Sequence, residues 1–244
     1  MADRIHKVLA NAGYGSRRDI ETLIRNGKIS VNGELAVIGQ CINEKDKVSI
    51  NSRLIRLYLQ RKKKPKVLAY YKPSGEVCTR RDEKGRDTVF KNLPRLRNSR
   101  WINIGRLDLN TTGLLLFTTD GELANQLMHP SNQIEREYAV RVLGEVTKEN
   151  IRALLNGVEL EDGFAKFTDI VDSGGQGFNH WYHVVVMEGR NKEVRRLWES
   201  QGVQVTRLIR TRFGSYILPR KKRAGQFWRL DDKEIKSLQE SIQS

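Results

Sequence analysis

The stretch from Arg100 to Gly121 constrains this chain most, because its run Leu114-Leu115-Leu116-Phe117 is apolar at every position. A half-exposed strand alternates apolar and polar residues, whereas a strand covered on both faces does not. A shorter apolar segment, Trp101-Ile102-Asn103-Ile104, precedes the run, and Gly105-Arg106-Leu107-Asp108-Leu109-Asn110 joins the two. Asp108 thus stands at the lip of a buried strand. It reads either as a turn aspartate bonding its own backbone or as a carboxylate held for chemistry.

Charge narrows the partners. The 244 residues carry a formal net charge of +15, with 38% hydrophobic and 30% charged residues, so a core is available beneath a heavily ionised surface. Such a balance attracts polyanions. The sequence contains neither an eighteen-residue apolar stretch nor a lysine-rich amphipathic helix with a bulky apolar face, so nucleic acid is expected rather than a membrane. The start, Met-Ala-Asp-Arg-Ile-His, shows no signal-peptide core. Cys41 and Cys78 fit neither a disulfide framework nor a zinc spacing. A cytoplasmic location follows as the simplest expectation.

Residues 1–64 carry 14 Lys and Arg against 6 Asp and Glu, so about half of the excess charge lies in a quarter of the chain. Ile5, Val8, Leu9 and Ala12 recur at helical spacing up to Gly13. Ser16 with Asp19 three residues on reads as a near capping box for a second helix, which buries Ile20, Leu23 and Ile24 and stops at Gly27. Asn32-Gly33 between short apolar runs predicts a hairpin, and Val48 to Ile50 a further strand. Arg17, Arg18, Arg25 and Lys28 fall on or beside the second helix, where they could track a phosphate backbone or form a solvated face. His6 to Gly13, Ser16-Arg17-Arg18 and Val31-Asn32-Gly33 resemble a small RNA-binding domain shared with a protein of the small ribosomal subunit, the S-four domain. Residues 53–66, with Arg61-Lys62-Lys63-Lys64-Pro65, read as an extended basic linker between mobile domains. The expected division is 1–62 and 63–244.

The second domain opens with a strand at Val67 to Tyr71, ended by Lys72-Pro73-Ser74-Gly75. A helix from Glu122 to Met128 is stopped by His129-Pro130. Strands are predicted at Glu137 to Val142, His180 to Met187, Val205 to Arg212 and Gln226 to Leu230. Thr147 caps a helix carrying Ile151, Leu154 and Leu155, and Asn191 is expected to cap another carrying Val194, Leu197 and Trp198. A basic run, Arg220-Lys221-Lys222-Arg223, lies between the last two strands. Strands outnumber helices without strict alternation, which predicts an α+β domain on a mixed, largely antiparallel sheet with flanking helices.

Four blocks in this half, Lys72-Pro73-x-Gly75, Gly105-Arg106-Leu107-Asp108 with Thr111-x-Gly113-Leu114-Leu115, Tyr138-x-Val140, and Gly189-Arg190 followed by Arg195, are ordered and spaced as in a known family. They resemble the bacterial ribosomal pseudouridine synthases, in the branch formed by synthase A of the small ribosomal particle and synthases B, E and F of the large one. That branch joins an S-four domain to a catalytic domain. The resemblance covers about residues 3–235. Within the branch, Ser173-Gly174-Gly175 to Trp181-Tyr182 and Gly225 to Leu230 look most like members that act on 23S rRNA.

The resemblance implies an isomerase that breaks the base–sugar bond of a uridine, rotates the uracil and rejoins it through a ring carbon. No atoms are gained or lost, so neither cofactor nor metal is implied. It makes Asp108 the reacting carboxylate, as a nucleophile or as a base giving a glycal, and Arg195 its guanidinium partner. Tyr138 would stack on the uracil, against the commoner fate of a core aromatic. Arg106 would fill the gap left by the flipped nucleotide. Lys72 and Arg190, with Arg17, Arg18, Arg25 and Lys28, complete the expected RNA contacts. The implied partner is a 23S rRNA stem-loop, free or within an assembly precursor of the large ribosomal particle, bound by a monomer. A sister synthase acting on 16S rRNA or a neighbouring 23S uridine, and a non-catalytic ribosome-assembly factor, are the alternatives.

One departure stands out. Many relatives have His-Gln before the second arginine of the last block, and this chain has Lys192-Glu193. Other constellations point nowhere. His180 and His183, three apart in a strand, face opposite sides. Glu159, Glu161 and Asp162 read as a solvated turn, and Gly174-Gly175-x-Gly177 lacks the helix that a phosphate loop needs. Cys41 and Cys78 read as structural.

Overall fold

The computed structural model describes residues 2–43, 45–55, 64–97 and 99–242. It divides into two compact units that interleave along the chain. One gathers Met1–Pro65, Pro94–Ile102 and Thr119–Gly121; the other Lys66–Leu93, Asn103–Thr118 and Glu122–Ser244.

The first unit runs β1 (Asp3–Arg4), α1 (Ile5–Asn11), α2 (Arg17–Arg25), β2 (Ile29–Val31), β3 (Glu34–Leu35), β4 (Cys41–Ile42), β5 (Val48–Ile50) and β6 (Arg53–Ile55). Ser16 caps α2 as expected: its hydroxyl accepts from Asp19 N at 3.0 Å, and the Asp19 carboxylate accepts from Ser16 N at 2.7 Å. Asn32 and Gly33 both take positive φ, 55° and 95°, as the tight turn between β2 and β3 requires. Ile5, Leu9, Ile20, Ile24, Ile29, Ile42 and Val48 close a small core between the two helices and the four-stranded sheet β3-β2-β5-β6. Residues 53–55, expected in a linker, instead form strand β6 against β5. Of that expected linker, residues 56–63 lie outside the described residues.

The second unit is built on a nine-stranded sheet. Its elements are β7 (Val67–Lys72), β8 (Ile102–Ile104), β9 (Thr112–Thr118), α3 (Gly121–Met128), β10 (Arg136–Leu143), α4 (Lys148–Asn156), the hairpin β11 (Val158–Leu160) and β12 (Gly163–Ala165), β13 (Asp169–Gln176), β14 (Asn179–Val186), α5 (Glu193–Glu199), β15 (Gln204–Phe213), β16 (Tyr216–Ile217), β17 (Phe227–Arg229) and α6 (Asp232–Glu240). The strand order is β13-β14-β10-β15-β9-β7-β17, with β16 on β15 and β8 on β9. Where register is resolved, only β15 and β9 run parallel. This is the expected mixed, largely antiparallel α+β sheet. Leu114 to Phe117 are fully buried in β9, as their unbroken apolar run requires.

Three local expectations change. The run at Gly174-Gly175 belongs to strand β13, which takes its pairing from β14 rather than from its own weak propensity. Helix α6 went unread because its apolar stripe is short, with only Ile235 and Leu238 buried; Asp231 and Glu234 form its capping box. Helix α5 has Lys192 at its N-cap in a left-handed conformation with no side-chain cap, so Asn191 does not cap it.

Candidate active site

Strand register, not sequence proximity, assembles the site. Tyr138 of β10 pairs with Arg210 of β15, Arg210 with Gly113 of β9, and Gly113 with Lys72 of β7. Residues paired across neighbouring strands share a face, so a tyrosine, an arginine and a lysine form one row across four strands. Tyr138, Arg210 and Lys72 are all buried. Gly113 lets β9 approach β15: a Cβ there would stand 2.3 Å from Arg210 O and 2.6 Å from Arg210 N.

Asp108 lies on the loop that enters this row at β9. Its backbone is gripped from both sides. Cys78 Sγ donates to Leu107 O at 3.3 Å and accepts from Leu107 N at 3.4 Å. Gly75 N donates to Leu109 O at 2.9 Å. Lys72 Nζ donates to Pro73 O at 2.9 Å, Leu109 O at 3.3 Å and Thr111 O at 2.9 Å. Asp108 O closes the turn by accepting from Thr111 N at 3.1 Å. The half-buried carboxylate itself accepts no hydrogen bond and makes no ion pair among the described residues. A fixed backbone with a free carboxylate answers the opening ambiguity: Asp108 does not spend its side chain on its own turn.

Lys72 is not available to RNA. It is fully buried, and its three donors are all taken by carbonyls, so its expected RNA contact gives way to a structural role. Burial pulls its pKa below the ordinary lysine value, opposed by Cys78, Glu76 and Asp108 nearby. Behind it, Tyr70 donates to both oxygens of buried Glu76, at 2.9 and 2.8 Å, and Asn92 donates to the same carboxylate at 3.2 Å. Burial and that carboxylate push the Tyr70 hydroxyl pKa upward. This brace holds the turn from Lys72 to Glu76. Burial likewise raises the Cys78 thiol, against the pull of Lys72, Arg210 and Arg106.

Arg190 is also committed elsewhere. Its guanidinium pairs with Glu188 and donates to Asp162 O at 3.3 Å, Gly163 O at 3.1 Å and Phe164 O at 2.9 Å, tying the β11–β12 turn to the loop before α5. The sequence marked it as an RNA contact; in the structure most of its donors go to protein. Arg195 donates to Val205 O at 2.8 Å and makes no ion pair with Asp108 among the described residues.

Sequence reading missed Arg210. It is 1% exposed, its Nε donates to Leu114 O at 2.6 Å, and its Nη2 is buried with no partner. An orphaned guanidinium donor in a buried row beside Tyr138 is costly unless a ligand satisfies it. The available signal was an arginine two residues after buried Leu208, on the same face of a strand. Arg106 is exposed beside Asp108, and Arg17, Arg18, Arg25 and Lys28 are exposed on the first unit with no ion pair among the described residues. His180 and His183 face opposite sides of β14 and bond to Asp172 at 2.6 Å and Glu137 at 2.8 Å, respectively. No group of three or more His, Cys, Asp or Glu among the described residues could hold a metal ion.

The loop that leads into β9 thus carries a carboxylate without a protein partner among the described residues, and the sheet row at its end holds a tyrosine and an arginine with one unsatisfied donor. The model of the RNA pseudouridylate synthase family matches residues 66–200, and that of the S4 domain residues 3–38. The chain belongs to the RNA pseudouridylate synthase family. It is 58% identical to ribosomal large subunit pseudouridine synthase B of Pseudomonas aeruginosa, over 99% of this chain and 63% of that protein. Against the protein of the same name in Vibrio cholerae it is 54% identical, over 100% of this chain and 76% of that one. The Escherichia coli K12 counterpart is 53% identical, over 100% and 84%. A crystal structure of a pseudouridylate synthase shares the fold, with a TM-score of 0.67 at 24% identity over 96% of this chain and 99% of that one.

Proposed function

We infer that this chain converts a uridine of 23S rRNA to pseudouridine, in the cytoplasm, with Asp108 as the reacting carboxylate. The observation that carries the reading is the contrast at Asp108 between a clamped backbone and an uncommitted side chain. The N1–C1′ bond of the uridine breaks, the freed uracil rotates, and C5 bonds to C1′. A proton leaves C5 and one is taken up at N1, so the reaction balances without a second reactant. Asp108 acts at the sugar, either on C1′ or on a sugar proton. A reacting carboxylate is complemented by a guanidinium placed to donate to it. Arg210, with its unpartnered Nη2, fits that cation better than Arg195, whose guanidinium bonds Val205. Tyr138, next to Arg210 in the row, offers its ring to the detached base, and Arg106 takes the place of the flipped nucleotide in the RNA.

The N-terminal residues 1–62 dock the RNA. Arg17, Arg18, Arg25 and Lys28 contact phosphates there, and binding on an RNA stem-loop depends on shape and backbone rather than groove readout. The names of the relatives, which specify the large ribosomal particle, favour a 23S rather than a 16S target. The protein acts as a monomer on an rRNA stem-loop or an assembly precursor containing it.

The test is pseudouridine mapping on rRNA from cells lacking the gene, complemented with wild type or with Asp108→Asn. The expected result is one 23S site that disappears and returns only with wild type. A lost 16S site would reassign the target, and no lost site with normal expression would refute the enzyme.

A further inference from the structure

The run Arg220-Lys221-Lys222-Arg223 takes no part in the site described above, yet it is built as more than a solvated charge run. Arg220, Lys221 and Arg223 are exposed, and none of the four forms an ion pair among the described residues. Blocks of like charge repel themselves and are ordinarily found in unstructured tails. This one is locked. Lys222 N donates to Pro219 O at 3.0 Å, and Gln226 N donates to Arg223 O at 3.1 Å. Gln226 Oε1 accepts from Arg223 N at 3.0 Å. Lys222 Nζ lies 4.9 Å from the centre of the Trp228 ring, and Trp228 Nε1 donates to Tyr216 Oη at 2.7 Å. The ring draws the Lys222 ammonium inward, leaving the other three cations displayed on a fixed turn.

Register also places that turn. Gly225 N donates to Tyr71 O at 2.8 Å, and Tyr71 N donates to Gln226 O at 2.9 Å. Tyr71 immediately precedes Lys72, the end of the row that starts at Tyr138. The basic turn therefore emerges at the same end of the sheet as the Asp108 loop. From β10 to β17 there are four strand spacings of ~4.8 Å, or about 19 Å. A stacked strand rises ~3.4 Å per nucleotide, so this span corresponds to about six nucleotides.

We propose that Arg220, Lys221 and Arg223 form a second RNA grip, on the catalytic sheet itself, which holds phosphates of the strand a few nucleotides from the target uridine. The proposal rests on the RNA-modifying reading of the same site. It assigns to the second unit a share of the affinity that composition had placed on residues 1–64.

The test compares the full chain with Arg220→Gln/Lys221→Gln/Arg223→Gln, leaving Lys222 on its tryptophan. Lys166→Gln, exposed and on the opposite side of the sheet order next to β13, serves as a single-charge control. Binding to a 23S rRNA transcript is measured from 50 to 300 mM salt, with single-turnover pseudouridine formation on the same RNA. Each lost contact lowers the salt slope by ~0.7 for a single strand. The triple variant should lose about 2 units of slope and bind at least tenfold more weakly at physiological salt. Its KM should rise accordingly, while kcat falls less than threefold. Unchanged affinity and slope, or a fall in kcat at unchanged affinity, would overturn the grip. An inactive wild-type chain that still loses slope in the variant would refute the enzyme reading and leave the grip standing.

Discussion

Two sets of cations on this chain look alike in sequence and behave oppositely in the structure. On helix α2 and the residue that leads into β2, Arg17, Arg18, Arg25 and Lys28 are exposed and unpaired among the described residues. In the central sheet, Lys72, Arg136 and Arg210 are buried, and each spends donors on backbone carbonyls. The difference teaches that positive charge on a basic protein is not one quantity. On an exposed helix it is a long-range field that releases counterions when RNA binds. Within a sheet it is a set of directed hydrogen bonds whose strength comes from the loss of water. Under the proposed function, the first kind would recruit the RNA and the second would shape the place where it reacts.

The sharpest test of that division is Asp108→Asn. Because the backbone, not the side chain, holds the loop, the variant should fold with an unchanged Tm and bind rRNA within twofold. Turnover should fall by about 10³-fold or more. A parallel loss of folding would make Asp108 structural and dissolve the contrast between grip and chemistry.

Next comes Lys72→Met. It removes an ammonium from three carbonyls in a buried setting and should cost about 3 kcal/mol, read as a shift in the denaturant midpoint. The Asp108 loop loosens with it, so kcat should drop even under conditions where the variant is folded. If Lys72→Met instead weakened RNA binding at full stability, Lys72 would belong with the exposed set.

The mirror-image experiment is Arg17→Gln/Arg18→Gln/Arg25→Gln/Lys28→Gln. Stability should move by no more than about 0.5 kcal/mol, as for exposed sites. The salt slope of RNA binding should fall by about 3, with affinity at least tenfold weaker at physiological salt. A stable protein with unchanged slope would deny these residues their phosphate contacts. The smallest effect is expected from Ser16→Ala, which opens the capping box of α2. It should cost about 1 kcal/mol by thermal or denaturant melting, and no change at all would mean that the cap observed at Asp19 carries no weight.

Much of the fold was legible because its signals are local. The Ser16–Asp19 capping box, the Thr147 cap, the Asn32-Gly33 turn and the unbroken Leu114 to Phe117 run each report on a few consecutive residues, and each appears where expected. The elements that went unread lack such signals. Strand β13 is glycine-rich and pairs only because β14 lies beside it. Helix α6 buries two residues. For the site, the ordered blocks pointed to Asp108 and Tyr138 and placed Lys72 and Arg190 among the expected RNA contacts, while Arg210 went unmarked. The burial of Lys72 and Arg210 escaped that reading because sequence shows which side chains are charged but not which have lost their water.

What the sequence alone determined is therefore the set of elements, the basic character of the chain, the family, and the loop that carries the carboxylate. These depend on periodicity, turn chemistry and short ordered motifs. The tertiary structure alone decided that Tyr138, Arg210, Gly113 and Lys72 form one row, since strand register pairs residues as distant in the chain as Gly113 and Arg210. It also decided the fate of each cation, because burial and the carbonyls within reach, both products of packing, determine whether a positive charge faces solvent or holds the protein's own backbone in place.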